Sequence, residues 1–201
     1  MTAPTLTLAS GSPRRIDLLT PWWPGGLDVR PADLDEQALT EPTDADGSVR
    51  RLAAAKAEAI AATGSPQDLV LGADTVVVDT TDTILGKPLD RADAFRTVAA
   101  MRGTTISVIS GVALAHAGRV DVRSVRTELE VGAPSDAEIR RYVDTGAADD
   151  KAGALEVQDR ARTFVEAIRG CYPNVLGLPL CICRDLLGPF ATARLPDCDH
   201  R

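Results

Sequence analysis

The chain has 201 residues, 44% of them hydrophobic and 25% charged, which are the proportions of a globular domain that buries its core without disulfide or metal staples. Its 22 basic and 29 acidic residues leave a net charge of −7, with 3% aromatics and no basic stripe, and this argues against nucleic-acid binding and against a seat on anionic lipid. The first ten residues lack signal-peptide character, no apolar run approaches the roughly 18 residues of a membrane span, and Cys171, Cys181, Cys183 and Cys198 lack zinc spacing, so a cytoplasmic protein with reduced thiols is expected.

The run Leu6-Thr7-Leu8-Ala9 predicts a short strand, ended by Ser10-Gly11-Ser12-Pro13. Ser12 is placed as N-cap and Pro13 as the first helical residue of a helix that stops before Pro21. A second strand is expected at Leu27 to Arg30, then the acidic stretch Asp33-Leu34-Asp35-Glu36. Val49, Leu52, Ala53, Lys56 and Ile60 share a stripe at helical spacing, predicting a helix from about Ser48 to Ala62. Leu69 to Val78 is an apolar strand broken by Gly72, Asp74 and Thr75. Beyond a turn lie Ile84-Leu85 and Gly86-Lys87-Pro88, then a helix from Ala92 to Met101. Thr104–Ala115 and Val120–Val131 predict paired strands, turning at His116-Ala117-Gly118-Arg119. Ser135 caps a helix to about Asp144, residues 149–158 are irregular, Thr163–Ile168 is a strand, and Pro179–Leu187 is a helix. Residues 1–201 form one domain with a frayed tail at 188–201, and the order of elements predicts an α/β fold: a mixed sheet with two lobes and a cleft between them.

Three features carry possible chemistry. The turn Ser10-Gly11-Ser12 opens a helix whose N–H groups and dipole favour an anion, with Arg14 and Arg15 as bidentate donors just inside; the alternative is a plain capped helix with two solvated arginines. Asp74 is a carboxylate in an apolar strand, placed either to hold Mg²⁺ or activate water, or to cap a loop. Lys56, Lys87 and Lys151 sit in small-residue settings and clamp a triphosphate together with the arginines, or else are solvated singly; Asp35 and Glu36 offer a further metal or water contact, or an exposed loop. His116 falls in a turn and His200 in the tail, so no catalytic triad is in prospect, and neither a Walker loop nor a dinucleotide fingerprint is present.

Five stretches in order resemble the Maf family of nucleotide pyrophosphatases: Leu8 to Arg15 with Leu18-Leu19, Gly72 to Val77, Gly86-Lys87-Pro88, Asp150 to Ala154 with Gln158, and Gly170 to Leu180. The resemblance spans about residues 6–187. It implies a mixed twisted sheet with helices on both sides, two lobes around a deep cleft, a homodimer, and Mg²⁺- or Mn²⁺-dependent release of pyrophosphate from a nucleoside triphosphate. It makes Asp74 the proton acceptor, with Ser10, Arg15, Glu36, Lys56, Lys87 and Lys151 around phosphates and metal; Asp74 and Glu36 are the expected metal ligands. Arg14, Thr75 and Gln158 match positions of the branch that acts on dTTP and UTP, whereas a sister branch prefers 7-methyl-GTP. The family's link to septum formation adds a third alternative, nucleotide binding without turnover. Ala147, Leu155 and Ile106 depart from residues common in relatives.

Overall fold

The computed structural model describes residues 4–149, 151–157 and 164–191. Its frame is one seven-stranded sheet: β1 (Leu6–Leu8), β2 (Leu27–Val29), β3 (Leu69–Val78), β4 (Ile84–Leu85), β5 (Thr105–His116), β6 (Arg119–Val131) and β7 (Val165–Arg169). The order is β2-β1-β3-β5-β6-β7, with β4 beside β3. β1 runs parallel to β2 and β3, and every other pairing is antiparallel. The described residues also form six α-helices: α1 (Pro13–Leu19), α2 (Ala45–Ala61), α3 (Arg91–Met101), α4 (Asp136–Asp144), α5 (Tyr172–Val175) and α6 (Leu180–Leu187). The mixed sheet with helices on both sides matches the expected fold class.

Several boundaries differ from expectation for local reasons. α2 begins at Ala45 because the Asp44 carboxylate caps it, accepting the Gly47 N–H at 3.0 Å. α3 begins one residue early, capped by Asp90. Ser12 holds the N-cap place of α1 but its hydroxyl caps nothing; its own N–H instead reaches Ser10 Oγ at 3.3 Å. α5 was not expected: Pro173 sits in its first turn, where a missing N–H costs little. The 188–201 tail and the end of the 149–158 segment fall largely outside the described residues.

Side chains alternate across the pleat of β3 and thereby fix the layers. On one face, Val70, Val76 and Val78 meet Ala45, Val49, Ala53 and Ala57 of α2. The helix comes so close that a Cβ at Gly72 would collide with the Ala53 carbonyl, and one at Gly111 with the Val49 carbonyl. On the other face lie two apolar clusters. One joins Leu6, Leu8, Leu71, Ala73, Val112 and Leu114 to α1 and α6. The other joins Ile106, Val108 and Leu129 to α3 and α4. Thr75 and Ser110, cross-strand partners with hydroxyl oxygens 2.7 Å apart, form a polar seam between them.

Gly111→Ala tests the close approach of α2. Overpacking of this kind costs about 1–3 kcal/mol, so thermal unfolding should move down by about 2–12 °C for a chain of this size; an unchanged melting temperature contradicts the packing.

Candidate functional site

β1 runs out at Leu8 while β3 continues to Val78, and β4 rejoins the same edge only at Val77. Between these pairings, among the described residues, that edge of β3 has no neighbouring strand. Arg15 fills the gap. Its Nε donates to the Gly177 carbonyl at 2.8 Å, one terminal nitrogen to Ser10 Oγ at 3.0 Å and the Ala73 carbonyl at 2.9 Å, and the other to Thr75 Oγ1 at 3.1 Å. Thr75 Oγ1 itself donates to the same Gly177 carbonyl at 3.1 Å. One guanidinium thus joins the β1–α1 turn, β3 and the α5–α6 loop. Burial lowers its pKa from the ordinary guanidinium value, with Asp74 and Glu36 pulling the other way, and it remains a cation.

Asp74 and Thr75 are consecutive in a strand, so their side chains leave by opposite faces. Asp74 points toward α2, where Lys56 Nζ donates to its Oδ1 at 2.7 Å; the same ammonium pairs with Glu36 Oε1 at 2.7 Å. Lys56 and Asp74 are buried, and Glu36 closes the cluster from the solvent side. Burial raises the Asp74 pKa above the usual 3.8, against the downward pull of Lys56 and Arg15.

On Thr75's face, at the seam, lies a cavity of about 340 Å³. Its polar half is Arg14, Arg15, Lys87, Lys151, Ser12 and Thr75; its apolar half includes Ile106, Val108, Leu129, Leu155 and Val157. Four cations and no carboxylate line it among the described residues, in a chain whose net charge is −7. Such a wall suits a polyanion attached to an apolar or aromatic body.

The expected residues therefore fall into two groups. Arg14, Arg15, Thr75, Lys87 and Lys151 line the cavity; Asp74, Lys56 and Glu36 do not, and lie around the strand-free edge of β3. Ser10 joins the groups by its bond to Arg15, and Gln158 lies outside the described residues. Asp35 merely accepts the Ala38 N–H at 3.3 Å. Ile106 and Leu155 line the apolar half, but Ala147 does not line the cavity. Ser110 and the Gly177 carbonyl were missed. Ser110 interrupts a run of apolar residues in β5 just as Asp74 does in β3, so its signal was available.

Among the described residues no group of three or more His, Cys, Asp and Glu side chains is disposed to hold a metal ion. Asp74 and Glu36 nevertheless make a pair of hard oxygen donors. Each is bonded through one oxygen to Lys56, leaving a second carboxylate oxygen for a cation of the Mg²⁺ kind, which binds through one or two carboxylates together with water and phosphate.

The family described as Maf-like protein matches residues 5–190. A dTTP/UTP pyrophosphatase of Hahella chejuensis is 42% identical over 92% of this chain and 92% of its own length. Another, from Anaeromyxobacter dehalogenans, is 44% identical over 89% and 90%. A third, from Pelotomaculum thermopropionicum, is 43% identical over 92% and 96%. A solved nucleoside-triphosphatase / dITP/XTP pyrophosphatase of Mycobacterium abscessus is 17% identical over 63% of this chain and 74% of its own, at a TM-score of 0.44, a likeness too loose to bear on chemistry.

Asp74 with its partner Lys56 makes a stability test. An ionised carboxylate whose folded pKa is raised contributes least at high pH, because the folded state holds the proton more tightly between 3.8 and the raised value. Lys56→Met removes the ammonium that holds this pKa down and so lifts it further. The melting temperature of Lys56→Met should fall below the parent's by more at pH 8 than at pH 5, and a deficit independent of pH contradicts the pairing.

Proposed function

The chain belongs to the Maf-like protein family, and on that premise we propose that it hydrolyses nucleoside triphosphates, dTTP and UTP foremost, between the α- and β-phosphates to a nucleoside monophosphate and pyrophosphate. The observation that carries the reading is the gathering of Arg14, Arg15, Lys87 and Lys151 on one cavity wall, with Lys151 also paired to Glu156 at 3.6 Å. Relatives that carry the dTTP/UTP name along nearly the whole chain support the choice of nucleotide, as do Arg14 and Thr75 on the wall.

In this reading the triphosphate lies along the cationic half and the base enters the apolar half beside Ile106, Leu129 and Leu155. The polar seam between the two apolar clusters then serves as the cleft between two lobes. The reacting phosphorus sits at the gap in the β3 edge, between the pairings with β1 and β4. Water attacks phosphorus, Asp74 takes its proton, and the bond to the departing pyrophosphate breaks. Lys56 keeps the Asp74 carboxylate ionised enough to act, while its raised pKa makes it a better base than an exposed aspartate. Lys87 and Lys151 offset charge on the leaving pyrophosphate. Asp74 and Glu36 would hold a divalent cation, Mg²⁺ or Mn²⁺, whose charge supplies electrostatic stabilisation of the phosphates. The resemblance extends the proposal to a homodimer acting in the cytoplasm.

With Mg²⁺ or Mn²⁺ supplied, purified protein should release pyrophosphate from dTTP and UTP in preference to 7-methyl-GTP. Asp74→Asn should lower kcat by on the order of 10²–10⁴. Parental turnover by this variant removes Asp74 from the chemistry, and tight nucleotide binding with no pyrophosphate released removes the hydrolase.

A further inference from the structure

One wall of the cavity is a turn in a conformation that its sequence does not favour. The segment 151–157 contributes Lys151, Ala152, Leu155 and Val157 to the lining. Within it Gly153 (φ 66°) and Ala154 (φ 55°) both lie in the left-handed region. Glycine adopts that region freely, and at Gly153 a Cβ would also crowd Val77 Cγ1 at 3.1 Å. Ala154 gains nothing from being there and must be held.

The hold comes from Tyr142 on the buried side of α4. Its hydroxyl donates to the Ala154 carbonyl at 2.9 Å and accepts the Glu156 N–H at 2.8 Å, bridging the residue in the strained turn and the one two places on. Its ring lies edge-on to Phe164 with centroids 5.2 Å apart, so the hydroxyl has little freedom to swing away. Burial pushes the Tyr142 phenol up to about 12, which keeps it protonated and donating. The turn is tied on its other side too: the Gly153 N–H donates to the Gly86 carbonyl at 3.0 Å, next to Lys87.

We propose that Tyr142 is a positioning residue for substrate: by fixing the Gly153–Ala154 turn it sets where Lys151 meets the phosphates and where Leu155 and Val157 meet the base. This rests on the triphosphate reading above and adds to it a residue that lies outside the cavity lining. Because the turn carries contacts to both ends of the nucleotide, losing the hydroxyl weakens the ground-state complex more than the chemical step.

The test compares parent, Tyr142→Phe, and Tyr142→Phe combined with Ala154→Gly, well below their melting temperatures. Binding of a dTTP analogue with a methylene bridge between the α- and β-phosphorus is measured by calorimetry, and dTTP turnover by pyrophosphate release. Tyr142→Phe leaves a buried carbonyl and N–H without this partner and should raise Kd and KM about tenfold while kcat changes by less than about threefold. Adding Ala154→Gly should recover part of the affinity, since glycine takes the left-handed turn unaided. A residue of purely structural consequence lowers the melting temperature and leaves Kd and KM of the folded protein unmoved. A parent that hydrolyses dTTP and a Tyr142→Phe variant with parental Kd and KM overturn this inference alone. A parent that neither binds the analogue nor hydrolyses dTTP overturns the proposed function, and this inference with it.

Discussion

Every other feature of the site depends on how Arg15 occupies the unpaired edge of β3. Where β1 stops and β4 has not begun, backbone carbonyls would face the interior without partners, a costly state for buried polar groups. A guanidinium is suited to the place because its donors lie in a fixed fork and its charge does not titrate away. By binding Ser10, Ala73, Thr75 and Gly177 together it replaces a missing strand with a side chain. Arg15 fills the gap with a side chain, and its guanidinium ties the cavity wall to the strand that carries Asp74.

That arrangement reconciles two electrostatic demands. An acid that works as a base needs burial to raise its proton affinity, and a triphosphate needs a cationic wall. Placed together on one surface, the wall would hold the acid's pKa down and the acid would repel the phosphates. The pleat of β3 separates them by a single residue: Asp74 goes to α2 with Lys56 and Glu36, and Thr75 goes to the cavity with Arg14, Lys87 and Lys151. The overall charge of −7 has little say over a cavity whose lining is locally cationic.

Much of this was legible in the chain. The parallel and hairpin strands follow from apolar runs and their breakers, and an aspartate inside Leu69–Val78 marks itself by being out of place. The separation of Asp74 from Thr75 follows from strand alternation. Other features needed the fold. Asp44 lies in a stretch rich in Thr, Asp and Gly that reads as loop, and only the bond to Gly47 makes it a cap. α5 is too short to show a period. Tyr142 has the spacing of an ordinary core residue on α4, and its partners lie beyond the helix on a turn with no periodicity. Long-range polar bonds such as Arg15 to Gly177 leave no trace in local pattern.

On the proposed function, one nucleotide spans both sides of this edge. A crystal structure with a non-hydrolysable dTTP analogue and a divalent cation tests it most directly. Phosphate oxygens are expected on Arg14, Lys87 and Lys151, the base against Ile106 and Leu155, and the α-phosphorus at the β3 gap with one water between it and Asp74. A nucleotide bound elsewhere, or with its α-phosphorus turned away from the gap so that no water links it to Asp74, would contradict it.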